Sequence, residues 1–176
     1  YADGAEVTNL ALTDGATVTL YAQWAARYTV AFDANAPEDA STSVTGSTSA
    51  LSMIAGQPSN LPACGFALPG YRFAGWNTAA DGSGDAYADG AKVVDLSTEA
   101  KATVTLYAQW KPRSYTVELL LAGDDGTMTL LRSIDATFDE PLTLPDEAEG
   151  IPDGRVLLGW ETLGFGSFYR AGSQAA

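Results

Sequence analysis

The sequence predicts an α+β chain that is mostly β, built as small tandem sheet modules with little helix. Two observations carry this prediction. The chain repeats itself: Tyr1–Trp24 (YADGAEVTNLALTDGATVTLYAQW) aligns without gaps on Tyr87–Trp110 (YADGAKVVDLSTEAKATVTLYAQW), with 16 of 24 positions identical. Its apolar residues also recur with a period of two: in ATVTLYAQW, Val18, Leu20, Ala22 and Trp24 alternate with Thr17, Thr19, Tyr21 and Gln23. Such alternation of β-branched and aromatic residues marks a half-buried strand.

Further echoes fix the repeat unit at roughly 85 residues. Tyr28-Thr29-Val30 returns as Tyr115-Thr116-Val117, Pro58 with Leu61-Pro62 as Pro141 with Leu144-Pro145, and Gly75-Trp76 as Gly159-Trp160. Residues 1–24 therefore read as the tail of one unit, 28–110 as a complete unit, and 115–176 as the front part of a third. The chain starts in mid-repeat, as expected of a piece of a longer protein. The joins, Ala25–Arg27 and Lys111–Ser114, are short, so neighbouring units should be closely coupled, and Pro112 should break strand pairing at its join.

Within the complete unit, Tyr28, Val30 and Phe32 begin the first strand. Further strands are expected near Ser49–Ala55 and Tyr71–Asn77, matched in the third unit by Thr127–Thr137 and Arg155–Glu161, and the unit closes with 102–110. Asp81-Gly82-Ser83-Gly84 and Ala88-Asp89-Gly90 are turn material. No segment holds a helical period, and at most a short helix fits among residues 56–66 or 91–100. Trp76, Trp110, Phe73, Tyr28, Phe32 and Leu106 are the expected core, each contributing on the order of 1.5–3 kcal/mol when buried.

Composition bounds the chemistry. The 176 residues are 46% hydrophobic and 10% aromatic, which excludes a disordered tail. A net charge of −13 disfavours nucleic acid and anionic membrane surfaces as partners. The sequence has no histidine, the commonest general base, and a single cysteine, Cys64, so it holds neither an internal disulfide nor a thiolate zinc cluster. No apolar run approaches the length of a membrane span.

Several residue groups invite functional readings. Asp81, Asp85 and Asp89, spaced around glycines, superficially suit a calcium ion, but the 12-residue ligand pattern ending in a bidentate Glu is missing. A turn-rich hairpin loop is the simpler expectation. Cys64 has no histidine to activate it and reads as an incidental loop residue. Asp124, Asp125, Asp139, Glu140, Asp146, Glu147 and Glu149 could suggest a carboxylate hydrolase, yet they crowd one polar stretch and read as a solvated acidic face. Lys92 aligns with Glu6, which speaks against a buried isopeptide crosslink. Tyr21 and Tyr107, on the Thr/Gln face of the closing strand, could stack on a sugar or a partner patch; cross-strand packing is the plainer reading.

YTVAFDAN, LPGYRFAGWNTAADGSGDAYADG and TLYAQW resemble the Listeria–Bacteroides repeat, the family that includes the internalin B-repeat. The resemblance covers all of 28–110 and, in parts, 1–24 and most of 115–172. The third unit departs from it where Gly-Trp-Glu-Thr-Leu-Gly-Phe-Gly at 159–166 replaces the Asn-Thr-Ala-Ala-Asp-Gly-Ser-Gly loop. What it implies is a β-grasp-like (ubiquitin-like) module whose last strand lies mid-sheet beside the first. Such modules stand in tandem in secreted and wall-attached bacterial surface proteins, with no catalytic residues and no cofactor to carry over.

The function expected is therefore a non-enzymatic extracellular repeat acting as a stalk or spacer, with a role in adhesion or protein–protein contact at the bacterial surface. A dedicated glycan- or host-receptor-binding domain using exposed aromatics is the alternative, and a carboxylate-dependent hydrolase comes third. The partners expected are a surface protein or glycan, neighbouring repeats, and strand-swapped copies of the chain itself. Since 115–176 lacks a closing strand and 1–24 contains one, 15–24 is expected to complete the sheet begun by 115–121, within a chain or between chains.

Overall fold

The computed structural model describes residues 1–2, 4–123, 125–145 and 157–162, and the backbone of 168–170 and 174–175. It is all-strand, with no helix among the described residues. The elements of the complete unit are β1 (Arg27–Asp33), β2 (Thr45–Gly46), β3 (Leu51–Ile54), β4 (Ser59–Asn60), β5 (Phe66–Ala67), β6 (Tyr71–Asn77), β7 (Ala86–Tyr87), β8 (Lys92–Val93) and β9 (Thr103–Pro112). Beyond it come β10 (Ser114–Ala122), β11 (Met128–Thr137), β12 (Leu142–Thr143), β13 (Gly159–Glu161), β14 (Phe168–Arg170) and β15 (Gln174–Ala175).

One five-stranded sheet, ordered β3-β1-β9-β6-β7, organises the complete unit. Its closing strand β9 lies at the centre, parallel to β1 (Val30 opposite Val104, Phe32 opposite Leu106) and antiparallel to β6. The alternation read in the sequence selects the faces. Leu106 and Ala108 are fully buried, and Val104 and Trp110 pack against the same core, while Thr103 is exposed.

β6 departs from strict alternation, and one glycine permits it. Phe73 faces Trp110 and Gly75 faces Gln109, so Ala74 is left unopposed as a bulge. The extra residue shifts the parity of the strand, and Tyr71, Phe73 and Trp76 all turn toward the interior. Gly75 adopts φ 132°, and a Cβ there would lie 2.8 Å from the Tyr87 carbonyl oxygen. Trp76 is wholly buried, with the Phe32 ring centroid 4.7 Å away, Phe73 at 4.9 Å and Phe66 at 6.2 Å. All six expected core residues join this cluster, with Phe32, Phe73 and Trp110 at its partly buried margin.

The short helix expected among 56–66 or 91–100 does not form. Residues 56–66 carry Pro58 and Pro62, which remove backbone donors, and Ser59-Asn60 instead pair with Lys92-Val93. Asp95, at φ 51°, accepts a hydrogen bond from the Gly56 amide, and the Leu96 amide donates to the Tyr28 hydroxyl at 3.1 Å. These two irregular segments, rather than a helix, lay Leu61, Val93 and Leu96 over the sheet.

Another expectation, at the second join, is corrected. Pro112 does not break pairing; it ends β9 opposite Tyr71, leaving Arg113 as the single residue before β10. The first copy of the closing motif, at 16–24, forms no strand in its own chain, and its large apolar side chains are exposed. Of the strand expected over 155–161, residues 155 and 156 lie outside the described residues, 157 and 158 carry no regular structure, and 159–161 form β13.

Two substitutions probe this core. Gly75→Ala places a side chain against the Tyr87 carbonyl at a positive φ and should destabilise the unit by about 1–3 kcal/mol. Leu106→Ala should cost about 2–5 kcal/mol. Chemical denaturation followed by tryptophan fluorescence measures both, and a Gly75→Ala midpoint equal to that of the unsubstituted chain would refute the account of the bulge.

Candidate functional site: an aromatic groove at the repeat junction

The groove forms where the complete unit hands over to the next. Leu68-Pro69-Gly70-Tyr71 closes a turn in which the Tyr71 amide donates to the Leu68 carbonyl at 3.1 Å. Proline followed by glycine at φ 83° suits a type II turn. The turn sends β6 back toward the end of β9, and the two segments together enclose an open groove of about 370 Å³. Phe66, Pro69, Tyr71, Phe73, Trp110 and Arg113 line it. Phe73 and Trp110 meet edge to face at 5.8 Å, and the Trp110 indole N–H is anchored on the Ala34 carbonyl at 2.7 Å.

Arg113 stitches the groove to the following hairpin. Its amide donates to the Gly70 carbonyl at 2.8 Å, its Nε to the Tyr71 carbonyl at 2.9 Å, and its own carbonyl accepts from the Phe138 amide at 2.9 Å. The Phe138 ring sits where a Cβ on Gly70 would be, and stacks edge-on against Tyr71 at 5.7 Å. Asp139 completes the junction by accepting from the Ser41 hydroxyl, the Ser41 amide at 3.0 Å and the Tyr71 hydroxyl at 2.9 Å. The Ser41 hydroxyl, then its amide, hold the Asp139 carboxyl below the ordinary carboxylate range. Burial, then the hydrogen bond to Asp139, push the Tyr71 phenol up.

The acidic loop is held together by an amide. Asn77, buried beneath residues 78–84, donates to the carbonyls of Gly82 (3.0 Å) and Gly84 (3.1 Å) and accepts from the amides of Ala79 (2.8 Å) and Gly84 (3.0 Å). These four bonds use the full capacity of the side chain. Asp81 accepts from the Ser83 hydroxyl at 2.7 Å and the Ser83 amide at 3.0 Å, which lowers its pKa in that order of importance. Asp85 joins the loop through its backbone, its amide donating to the Thr78 hydroxyl at 2.9 Å. Asp89 accepts from the Cys64 amide at 2.8 Å. Among the described residues no three acidic or other ligating side chains gather to hold a metal ion.

Tyr107 and Tyr21, identical in local sequence, meet different surroundings. Tyr107 is half-buried in β9 between Asp33 and Asn77, whereas Tyr21 is exposed on a segment without regular structure. The structure does not bring them together into a shared surface. The Cys64 thiol is half-buried and donates to the Phe66 carbonyl at 3.7 Å; desolvation pushes its pKa up, the opposite of an activated nucleophile. Sequence reasoning missed the groove because it joins 66–73 to 110–113; the one local signal was the Pro-Gly turn between aromatic positions.

The sheet and its capped loop form one unit, and a second hairpin follows it directly. Residues 28–109 match the Listeria-Bacteroides repeat domain. Two proteins of Evansella cellulosilytica are similar over longer stretches. One, named as a Gly-rich membrane protein, is 36% identical over 108 residues, 58% of this chain and 12% of its own length. The other, named as a membrane protein, is 34% identical over 115 residues, 64% of this chain and 16% of its own. This chain thus spans only a small part of either relative. No solved structure matches it.

Replacing Asn77 by Ala strands two carbonyls and two amides beneath the loop and should destabilise the module by about 1–3 kcal/mol. Asp81→Asn, which keeps an acceptor toward Ser83, should change stability by less than about 0.5 kcal/mol. Thermal unfolding of the two variants checks the contrast, and equal losses would show that Asn77 holds the loop no more than Asp81 does.

Proposed function

We propose that this chain is a non-enzymatic, extracellular repeat segment of a bacterial surface- or membrane-associated protein, serving as a semi-rigid spacer. The junction carries the reading. With one residue between β9 and β10, and with Arg113, Phe138 and Asp139 bonded back to the Tyr71 turn, consecutive units hold a defined relative orientation. A flexible tether has no use for such bonding. The family of the module and the names of the two relatives support a surface setting. The sheet order β3-β1-β9-β6-β7, with its central parallel pair, supports a β-grasp-like reading in which irregular segments take the place of the helix. The histidine-free sequence and the suppressed Cys64 thiol support a non-catalytic role.

A second reading, adhesion to a glycan or a host or bacterial surface protein, is favoured by the groove rather than by Tyr21 or Tyr107. Its aromatic rings beside Arg113 offer stacking and hydrogen bonding of the kind sugars and aromatic side chains use. A glycan array read against a Trp110→Ala variant tests it. Binding that survives Trp110→Ala, or no binding at all, removes the groove from the account.

The spacer reading predicts a pH dependence with a definite sign. Asp139 is a stronger acid folded than unfolded, so its contribution is present above the ordinary carboxylate range and fades as pH falls through its own lower value. Tyr71 is a weaker acid folded, so its contribution holds below the ordinary phenol value and is lost as pH rises through its raised one. Spin labels at Glu99→Cys and Arg132→Cys in a Cys64→Ser background should give a narrow distance distribution at neutral pH. It should broaden in strong acid, in strong alkali and in Phe138→Ala. A broad distribution at neutral pH would sink the spacer reading.

A further inference from the structure

Cations are scarce in this chain, 9 against 22 acids, yet Arg72, Lys111 and Arg113 gather at one corner of the sheet. All three are exposed, and Arg72 stands directly opposite Lys111 across β6 and β9. Like charges so placed repel each other. An acid at either position would turn that repulsion into attraction, so local stability does not account for the pair. Arg72 and Arg113 also line the aromatic groove with Phe66, Phe73 and Trp110, whose rings are half-buried. Asp39 and Asp139 lie on the side of the Tyr71 hydroxyl, and Ser41 and Tyr71 already bond the Asp139 carboxylate.

The strand geometry joins the groove to the cation pair. Phe73 and Trp110 turn inward, so their neighbours Arg72 and Lys111 project from the outer face. β6 pairs with β7 only at Trp76 and Asn77, which leaves residues 71–74 as an open edge among the described residues. A ligand held by both features passes around that edge. The Nε of Arg113, held by the Tyr71 carbonyl, fixes the guanidinium at the groove.

We infer that this edge binds an acidic glycan, a chain of sugars bearing carboxylates. One pyranose ring stacks in the groove on Trp110 and Phe73 with its carboxylate on Arg113, and the chain continues over the edge to set another between Arg72 and Lys111. The inference rests on the reading of the groove as an adhesive surface and names its ligand. The apolar face of a sugar suits an aromatic ring, and a guanidinium fork matches a planar carboxylate. A single sugar does not span both faces, whereas a chain does. An added peptide strand fits poorly, because the bulge at Ala74 and the charge of Arg72 interrupt the edge. A densely phosphorylated polymer would meet repulsion along its length from a chain of net charge −13.

Titration of the full chain with oligogalacturonate, read by tryptophan fluorescence and calorimetry, tests the inference. The oligomer should bind, and its methyl ester, with every carboxylate masked, should bind at least about tenfold more weakly. Free galacturonic acid should be weaker than the oligomer by a similar factor. Lys111→Glu separates binding from folding: it should raise the thermal midpoint by pairing with Arg72, yet cut affinity for the oligomer by about tenfold or more. A methyl ester bound as tightly as the acid would overturn the inference while leaving neutral-glycan adhesion at the groove intact. Affinity unchanged in Lys111→Glu, or lost only in step with its midpoint, would overturn it, as would an oligoglutamate peptide bound equally well. Absence of binding by both the acid and its ester would remove the inference and the glycan reading together.

Discussion

The structure depends on the double pairing of β9. It is the last strand of its unit in sequence and the central one in space, hydrogen-bonded to β1 on one side and β6 on the other. Without it the remaining strands are hairpins and short ladders that cannot bury Trp76, because a two-stranded sheet offers too little apolar face to be stable alone. The core residues come from nearly the full length of the unit, from Tyr28 to Trp110, so the module forms as a whole or not at all. The groove inherits this dependence, since one wall is the end of β9 and the other is the turn that brings β6 alongside it.

What could be read from the sequence was what depends on periodicity. The alternation in 102–110 separated Leu106 and Ala108 from Thr103, and the span 71–77 matched β6. Repetition of the Tyr-Thr-Val and Gly-Trp pairs located the strands beyond residue 113. What escaped was set by contacts distant in sequence or by a single irregular residue. The bulge at Ala74 is invisible to a period-two reading, although Gly75 marks it in retrospect. Residues 56–66 and 91–100 are short and partly apolar, so they admitted a helix until the pairing of Ser59-Asn60 with Lys92-Val93 decided otherwise. The same limit governed the sites: alternation set Tyr107 apart from the buried Leu106 and Ala108 but did not reveal its flanking strands, and a spacing of aspartates drew attention from the neutral Asn77 that organises their loop.

Identical letters with opposite fates make a more general point about local propensity. Nothing in ATVTLYAQW differs between its copies, yet only one is a strand, because strand formation is rewarded by cross-strand neighbours rather than by the backbone itself. The junction shows the converse. Ser41, Tyr71 and Asp139 are far apart in sequence and carry no motif, but a single carboxylate draws them into a bonded joint.

The parallel arrangement of β1 and β9 has a mechanical consequence. Tension along the chain enters the unit at Arg27, where β1 begins, and leaves at Pro112, where β9 ends. Two adjacent parallel strands pulled from opposite ends slide past each other instead of peeling apart, so their hydrogen bonds are loaded together rather than one after another. Failure then requires many bonds to break at once, with Leu106 and Trp76 leaving the interior in the same event. A unit built this way resists shear along its length even where its thermodynamic stability is ordinary.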